Sequence, residues 1–170
     1  MRLRFSESRI ASIAARYSYP KEEEKLISLR TGVRETGHIT KDQLYLIARW
    51  KSPRSAGRVE DNSASFVREI TRFCLSAADE RARIEPLTLL SGVLWPTASV
   101  ILHLFHKDRY PILDYRALWS VSTNVPHVYD FAFWEKYLSF TRGIARRTSL
   151  TMRTIDRALW QYSKENQPGR

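Results

Sequence analysis

The sequence predicts an all-α protein. Apolar residues recur at spacings of three and four along almost the whole chain, and no convincing run alternates with a period of two. The apolar runs are also punctuated by helix-start signals, a Thr40-Lys41-Asp42-Gln43 capping pattern and prolines at 86 and 96. With 170 residues the chain fits one domain, 1–170, able to bury a core without metals or disulfides.

Residues 5–17 and 20–30 read as helices, the second opening with Lys21-Glu22-Glu23-Glu24-Lys25. Negative charge there suits a helix N-terminus, and the run reads as a solvated face. Residues 31–39, with Gly32 and Gly37, read as a loop before the capping pattern, after which a helix runs through Trp50. The polar connection "WKSPRSAGRVEDN" is too short for a domain linker. Phe66, Ile70, Phe73, Cys74 and Ala77 then mark a helix. Pro86 opens a short helix that stops at Gly92, and Pro96 opens the next, with Ala98, Ile101, Leu102 and Phe105 on one face. Two further helices cover about 130–142 and about 150–164, the latter with Met152, Ile155 and Leu159 in register. No internal repeat or low-complexity tract interrupts this pattern.

The 28 Lys and Arg against 18 Asp and Glu give a net charge of +10, which calls for a polyanionic partner. Double-stranded DNA is the expected one. No window approaches the roughly 20 apolar residues of a membrane span, and Met1-Arg2-Leu3-Arg4-Phe5 leads into no long apolar stretch. The expectation is a cytoplasmic protein with no membrane association and no obligate protein partner. Cys74 is the single cysteine, in register with Phe66, Ile70 and Phe73, and reads as a small apolar packing residue. The four histidines show no HxxxH or HExxH spacing, so no metal or cofactor is expected.

The stretch from Pro86 to Phe105 reads as short helix, tight turn and second helix, with the turn at Ser91-Gly92-Val93-Leu94-Trp95. Turn amides and the following helix N-terminus form a ready phosphate site, to which Thr97 and Ser99 add hydroxyl donors. An ordinary packing corner with a glycine cap accounts for the same spacing. Further on, Tyr110-Pro111-Ile112-Leu113-Asp114 puts one carboxylate among apolar neighbours, where it reads as the cap of a helix over Tyr115–Ser122.

Leu90-Ser91-Gly92-Val93, Thr97-Ala98 and Ile101-Leu102, followed after Tyr110-Pro111 by Asp114, resemble the helix–hairpin–helix and aspartate loop of the helix–hairpin–helix DNA glycosylase superfamily. The resemblance spans about Pro86 to Trp119. It implies a compact helical fold with a cleft between two helical lobes, a hairpin motif at about 86–106 and a catalytic loop at about 107–116. It also implies that Asp114 stabilises the positive charge that develops on the sugar as the N-glycosidic bond of a flipped-out base breaks. A cap and a catalyst are compatible roles, since capping amides favour the ionised acid.

Bifunctional members carry a lysine just before the Thr-Ala pair, where this chain has Pro96. The resemblance therefore implies a monofunctional glycosylase that leaves an abasic site. Leu94 replaces the usual second hairpin glycine, and the cysteines of the cluster-bearing members are absent. A monovalent cation held by hairpin carbonyls would leave no side-chain signature.

Tyr45, Trp50, Lys51 and Arg54 form a second constellation, an aromatic helix end followed by cations, as a base-stacking lip or a core tryptophan beside surface charges. Lys51 in a pocket would supply an amine nucleophile and lyase activity. Tyr110, Tyr115 and Arg116 flank Asp114 as candidate pocket walls and backbone contacts, while Trp119 reads mostly as core. Arg142, Arg146, Arg147, Arg153 and Arg157 concentrate charge in the last third, as a DNA-facing surface. The expected substrate is a damaged or modified base, including the modified bases of phage DNA. A non-catalytic DNA-binding module and a domain that binds an acidic protein remain the alternatives.

Overall fold

The structure, a computed structural model, describes residues 1–18, 21–123 and 125–168, and among them every regular element is a helix. The chain divides into two compact units, a middle one from Tyr19 to Asp108 and a terminal one joining Met1–Ser18 to Arg109–Arg170. The first helix, α1 (Ile10–Ala14), belongs to the terminal unit.

The middle unit holds α2 (Lys21–Ser28), α3 (Arg30–Thr36), α4 (Lys41–Lys51), α5 (Ala64–Ser76), α6 (Glu80–Ile84) and α7 (Trp95–Phe105), with 3-10 turns at Ala56–Asp61 and Glu85–Leu89. The capping box opens α4. The Gln43 amide donates to Thr40 Oγ1 at 3.3 Å, and Gln43 Oε1 accepts the Thr40 amide at 2.9 Å. Two amides that a helix start leaves without acceptors are thereby satisfied. Ser63 caps α5 by accepting the Phe66 amide, and Asp79 caps α6 by accepting those of Arg81 and Ala82.

All nine residues from Thr97 to Phe105 are buried, and α3, α4 and α6 pack against α7. A helix apolar on every side belongs in an interior. The single face expected from Ala98, Ile101, Leu102 and Phe105 is therefore the whole circumference. The expected loop at 31–39 instead contains α3, because Val33 is buried and Gly37, at φ +70°, ends that helix in the left-handed conformation. From the start of α3, Arg30 Nε donates to the Leu104 carbonyl near the C-terminus of α7 at 2.8 Å.

The core face of α5 also differs from expectation. Val67, Thr71 and Cys74 are fully buried, whereas Phe66 and Phe73 are 39% and 53% exposed. Both stripes repeat at helical spacing, and packing selects the smaller side chains. Glu23, read as part of a solvated face, is buried, while Glu22 and Glu24 beside it are exposed.

The terminal unit holds α1, α8 (Tyr115–Ser120), α9 (Phe131–Thr148) and α10 (Met152–Asn166). Both α1 and α8 pack on α10. The expected helix at 5–17 is shorter, a 3-10 turn at Glu7–Arg9 leading into α1, while the helix expected at 130–142 runs on to Thr148. Buried Gly143, Ile144 and Ala145 carry that extension, which ends at Ser149 with φ +56°. The Arg2 and Arg4 amides donate to the carbonyls of Val121 and Ser120, so the first residues run along the end of α8. Trp119 is half-buried rather than core, with the Arg4 guanidinium 4.5 Å above its ring and Tyr162 stacked at 6.0 Å.

Candidate functional site

The extended segment before Asp114 is held from two helices. Tyr110, Ile112 and Leu113 are buried. The Ile112 amide donates to Asp156 Oδ1 on α10 at 3.1 Å, and the Ile112 carbonyl accepts from Tyr137 Oη on α9 at 3.3 Å. Buried backbone groups outside regular structure need such partners. Asp156 is itself steadied by Arg153, whose Nη1 lies 3.3 Å from Oδ2.

Two residues beyond this clamp, Asp114 caps α8, accepting the Arg116 amide on Oδ1 at 2.8 Å. Its side chain is half-buried. Its charge is felt at two phenols. Burial first, and Asp114 second, raises the Tyr129 hydroxyl above its ordinary value. Burial drives Tyr137 well above the usual tyrosine range, with Asp156 and Asp114 adding to it. Asp114 thus stands as a half-buried helix-capping side chain two residues beyond the hydrogen-bonded Ile112, its charge felt at the Tyr129 phenol.

Tyr110, expected as a pocket wall, is a core residue. It is 1% exposed and stacks on Trp134 at 6.2 Å, with the Arg142 guanidinium 4.9 Å from its ring. Tyr115 is exposed, and Arg116 lies 5.2 Å from its ring and 5.5 Å from that of Trp160.

In the middle unit, the turn after the Glu85–Leu89 segment is fastened to the chain's own backbone. Gly92 adopts φ +81°, and a Cβ there would meet Ser55 O, Val59 N and Val59 Cγ2, each at 3.0 Å. The Ser91 amide donates to Asn62 Oδ1 at 2.9 Å, and Asn62 Nδ2 donates to the carbonyls of Ser91 and Val59. The close approach that requires a glycine is made to this unit's own 3-10 turn. The amides of Trp95 and Thr97 fall in the first turn of α7, where no intrahelical acceptor exists. Leu94 precedes them, 66% exposed, with Trp95 half-buried.

The hydroxyls of Thr97 and Ser99, expected as phosphate donors, lie inside the protein. Both residues are fully buried. Thr97 Oγ1 donates to Ser52 Oγ at 3.4 Å and Ser99 Oγ to the Pro96 carbonyl at 2.7 Å. The α7 helix enters the interior within its first turn.

Tyr45, Trp50 and Lys51 are half-buried and Arg54 is exposed, all in the middle unit. At about 100° per residue, Tyr45 and Trp50 stand roughly 140° apart around α4, so they do not share a face. The late arginines also separate. Arg147 pairs with Glu7 at 2.6 Å, Arg142 covers Tyr110, and Arg146 is exposed at the end of α9. Arg153 and Arg157 instead gather at Tyr17.

Asp156, Tyr137 and Tyr129 escaped the sequence reading. Asp156 had a usable signal, a carboxylate next to Ile155 on the apolar stripe of α10. Among the described residues no three His, Cys, Asp or Glu side chains converge as a metal site requires, and no helix is long and apolar enough to cross a membrane. Comparison with protein-family models, with curated proteins and with solved structures returns no match.

Proposed function

We propose that this chain is a DNA glycosylase that hydrolyses the N-glycosidic bond of a flipped-out, modified or damaged base, with Asp114 as the catalytic carboxylate. The observation that carries the reading is the half-buried, helix-capping Asp114 at the end of a segment clamped by Asp156 and Tyr137. A carboxylate fixed in this way provides the positioned negative charge that an oxocarbenium-like sugar needs, with little reorganisation as the bond breaks. The segment from Pro86 to Phe105 would act as a helix–hairpin–helix, offering the amide of half-buried Trp95 to a DNA phosphate while Gly92 holds the turn. Electrostatic attraction at a net charge of +10 supports a duplex DNA partner.

Pro96 supplies no amine, so the product is an abasic site on an uncut strand. The test is incubation with duplexes carrying common lesions, mismatches and phage-type modified bases, followed by measurement of free base and alkali-labile sites. Release of a phage-type base would place the enzyme in defence against modified foreign DNA, and strand cleavage before alkali would point to Lys51. A second reading, a non-catalytic DNA-binding module, is favoured by the helix-capping bond of Asp114, which accounts for that carboxylate without chemistry. DNA binding without base release across the panel would favour it.

A further inference from the structure

Cations of the terminal unit meet carboxylates, aromatic rings or, at Arg153, both. Arg16 is neutralised by Glu165 through a bidentate contact at 2.7 and 2.8 Å, and Arg147 by Glu7. Arg116, Arg157 and Lys164 each lie against an aromatic ring. Arg157 Cζ is 5.9 Å from the Tyr17 ring, Arg116 Cζ is 5.5 Å from Trp160, and Lys164 Nζ is 5.3 Å from Trp160 on its other flank of sequence. Tyr17 and Trp160 meet edge to face at 5.3 Å, which joins these contacts into one cluster. A ring fixes the direction of a cation through its quadrupole but leaves the positive charge in place.

The spacing along α10 is that of a single face. Arg157, Trp160 and Lys164 stand three and four residues apart. From Arg157 to Lys164 the helix rises about 10 Å, which matches the axial length of roughly three phosphates on one DNA strand. Arg157, Trp160 and Tyr17 are half-buried and Lys164 is exposed, so the cluster is anchored at one end and open at the other. Burial lowers the Arg157 guanidinium below its ordinary value, the situation that an approaching anion relieves.

We propose that this face of α10, with Arg116 and Tyr17, is a contact surface for the phosphodiester backbone of DNA. It rests on the reading of the chain as a DNA-binding protein and adds a specific place of contact in the terminal unit, two residues from Asp114 through Arg116. The rings pre-order the cations, so little side-chain entropy is lost when phosphates arrive.

The test measures binding of the full chain to a labelled oligonucleotide, single-stranded and duplex, between about 50 and 200 mM salt. The pair Arg157→Gln, Lys164→Gln is compared with Lys21→Gln, Lys25→Gln, which removes the same charge from two exposed positions of the middle unit. The α10 pair is expected to weaken duplex binding about tenfold and to reduce the salt slope by roughly two, with a smaller reduction on the single strand. The control pair should alter neither by a comparable amount. Lys164→Gln alone, at an exposed position, should reduce the duplex slope by about one without affecting the fold. Equal behaviour of the two pairs overturns the proposal while leaving the glycosylase reading intact. Wild-type protein that binds neither oligonucleotide overturns both. Loss of binding in the α10 pair, with no base released by the wild type, supports this surface and removes the catalytic reading alone.

Discussion

Asp156 accepts the Ile112 amide at 3.1 Å, so a carboxylate on α10 sets the path of the chain two residues ahead of Asp114. Asp156→Ala leaves a buried amide without its acceptor and removes one partner of Arg153. The expected loss is about 2–4 kcal/mol in urea unfolding. Tyr137→Phe, which removes only the hydroxyl donor to Ile112, should lose about 1 kcal/mol. A loss of stability for Asp156→Ala no larger than for Tyr137→Phe would show that the segment is held by packing alone.

Gly92→Ala tests the turn. The left-handed backbone and the 3.0 Å approach to Ser55 O and Val59 N both oppose a Cβ. Together they should destabilise the protein by about 2–4 kcal/mol. Gly57→Ala, where an added Cβ meets nothing within 4 Å, is the matched control and should change stability little.

His106 should impose a pH dependence on stability. Its Nδ1 accepts the Asp108 amide at 3.0 Å, which requires an unprotonated nitrogen. Burial, and then Arg83, lowers the ring below its ordinary value of 6.5. The unfolded chain therefore binds the proton at higher pH than the folded one. Stability is fully present above about pH 6.5 and falls as pH drops from there through the lowered folded value. In His106→Gln the slope of unfolding free energy over that window should flatten, and an unchanged slope would assign it to other groups.

Cys74 should be inert in the native protein. It is fully buried, and burial pushes its thiol up to about 12. Titration with a disulfide reagent should give negligible reaction before denaturation and one thiol per chain after it. Rapid native reaction would contradict the packing of α5.

Local signals in the sequence carried much of the fold. The Thr40 and Gln43 box, the prolines opening the segments at 86 and 96, and the left-handed Gly92 each depend on residues a few positions apart. What the sequence could not supply was decided by distant packing. Phe66 with Phe73 and Val67 with Cys74 both repeat at helical spacing, and only the neighbours of α5 select between them. Thr97 and Ser99 follow a turn, yet α7 is surrounded from its first turn onward.

The site was legible to the same depth. Asp114 reads as a cap from its own neighbours, whereas the clamp on Ile112 comes from residues 25 and 44 positions away. Arginines adjacent in sequence, such as Arg146 and Arg147, acquire different surroundings because partners like Glu7 arrive from the other end of the chain.

The most direct measurement compares base release by wild type and Asp114→Asn on the same panel of modified duplexes. Asparagine is as good an N-cap as aspartate, so the variant keeps α8 and changes only the charge. Wild type is expected to free at least one base and Asp114→Asn to do so about 10²–10³ times more slowly, with DNA affinity retained. Release by Asp114→Asn at the wild-type rate would contradict the assignment of Asp114 as the catalytic carboxylate.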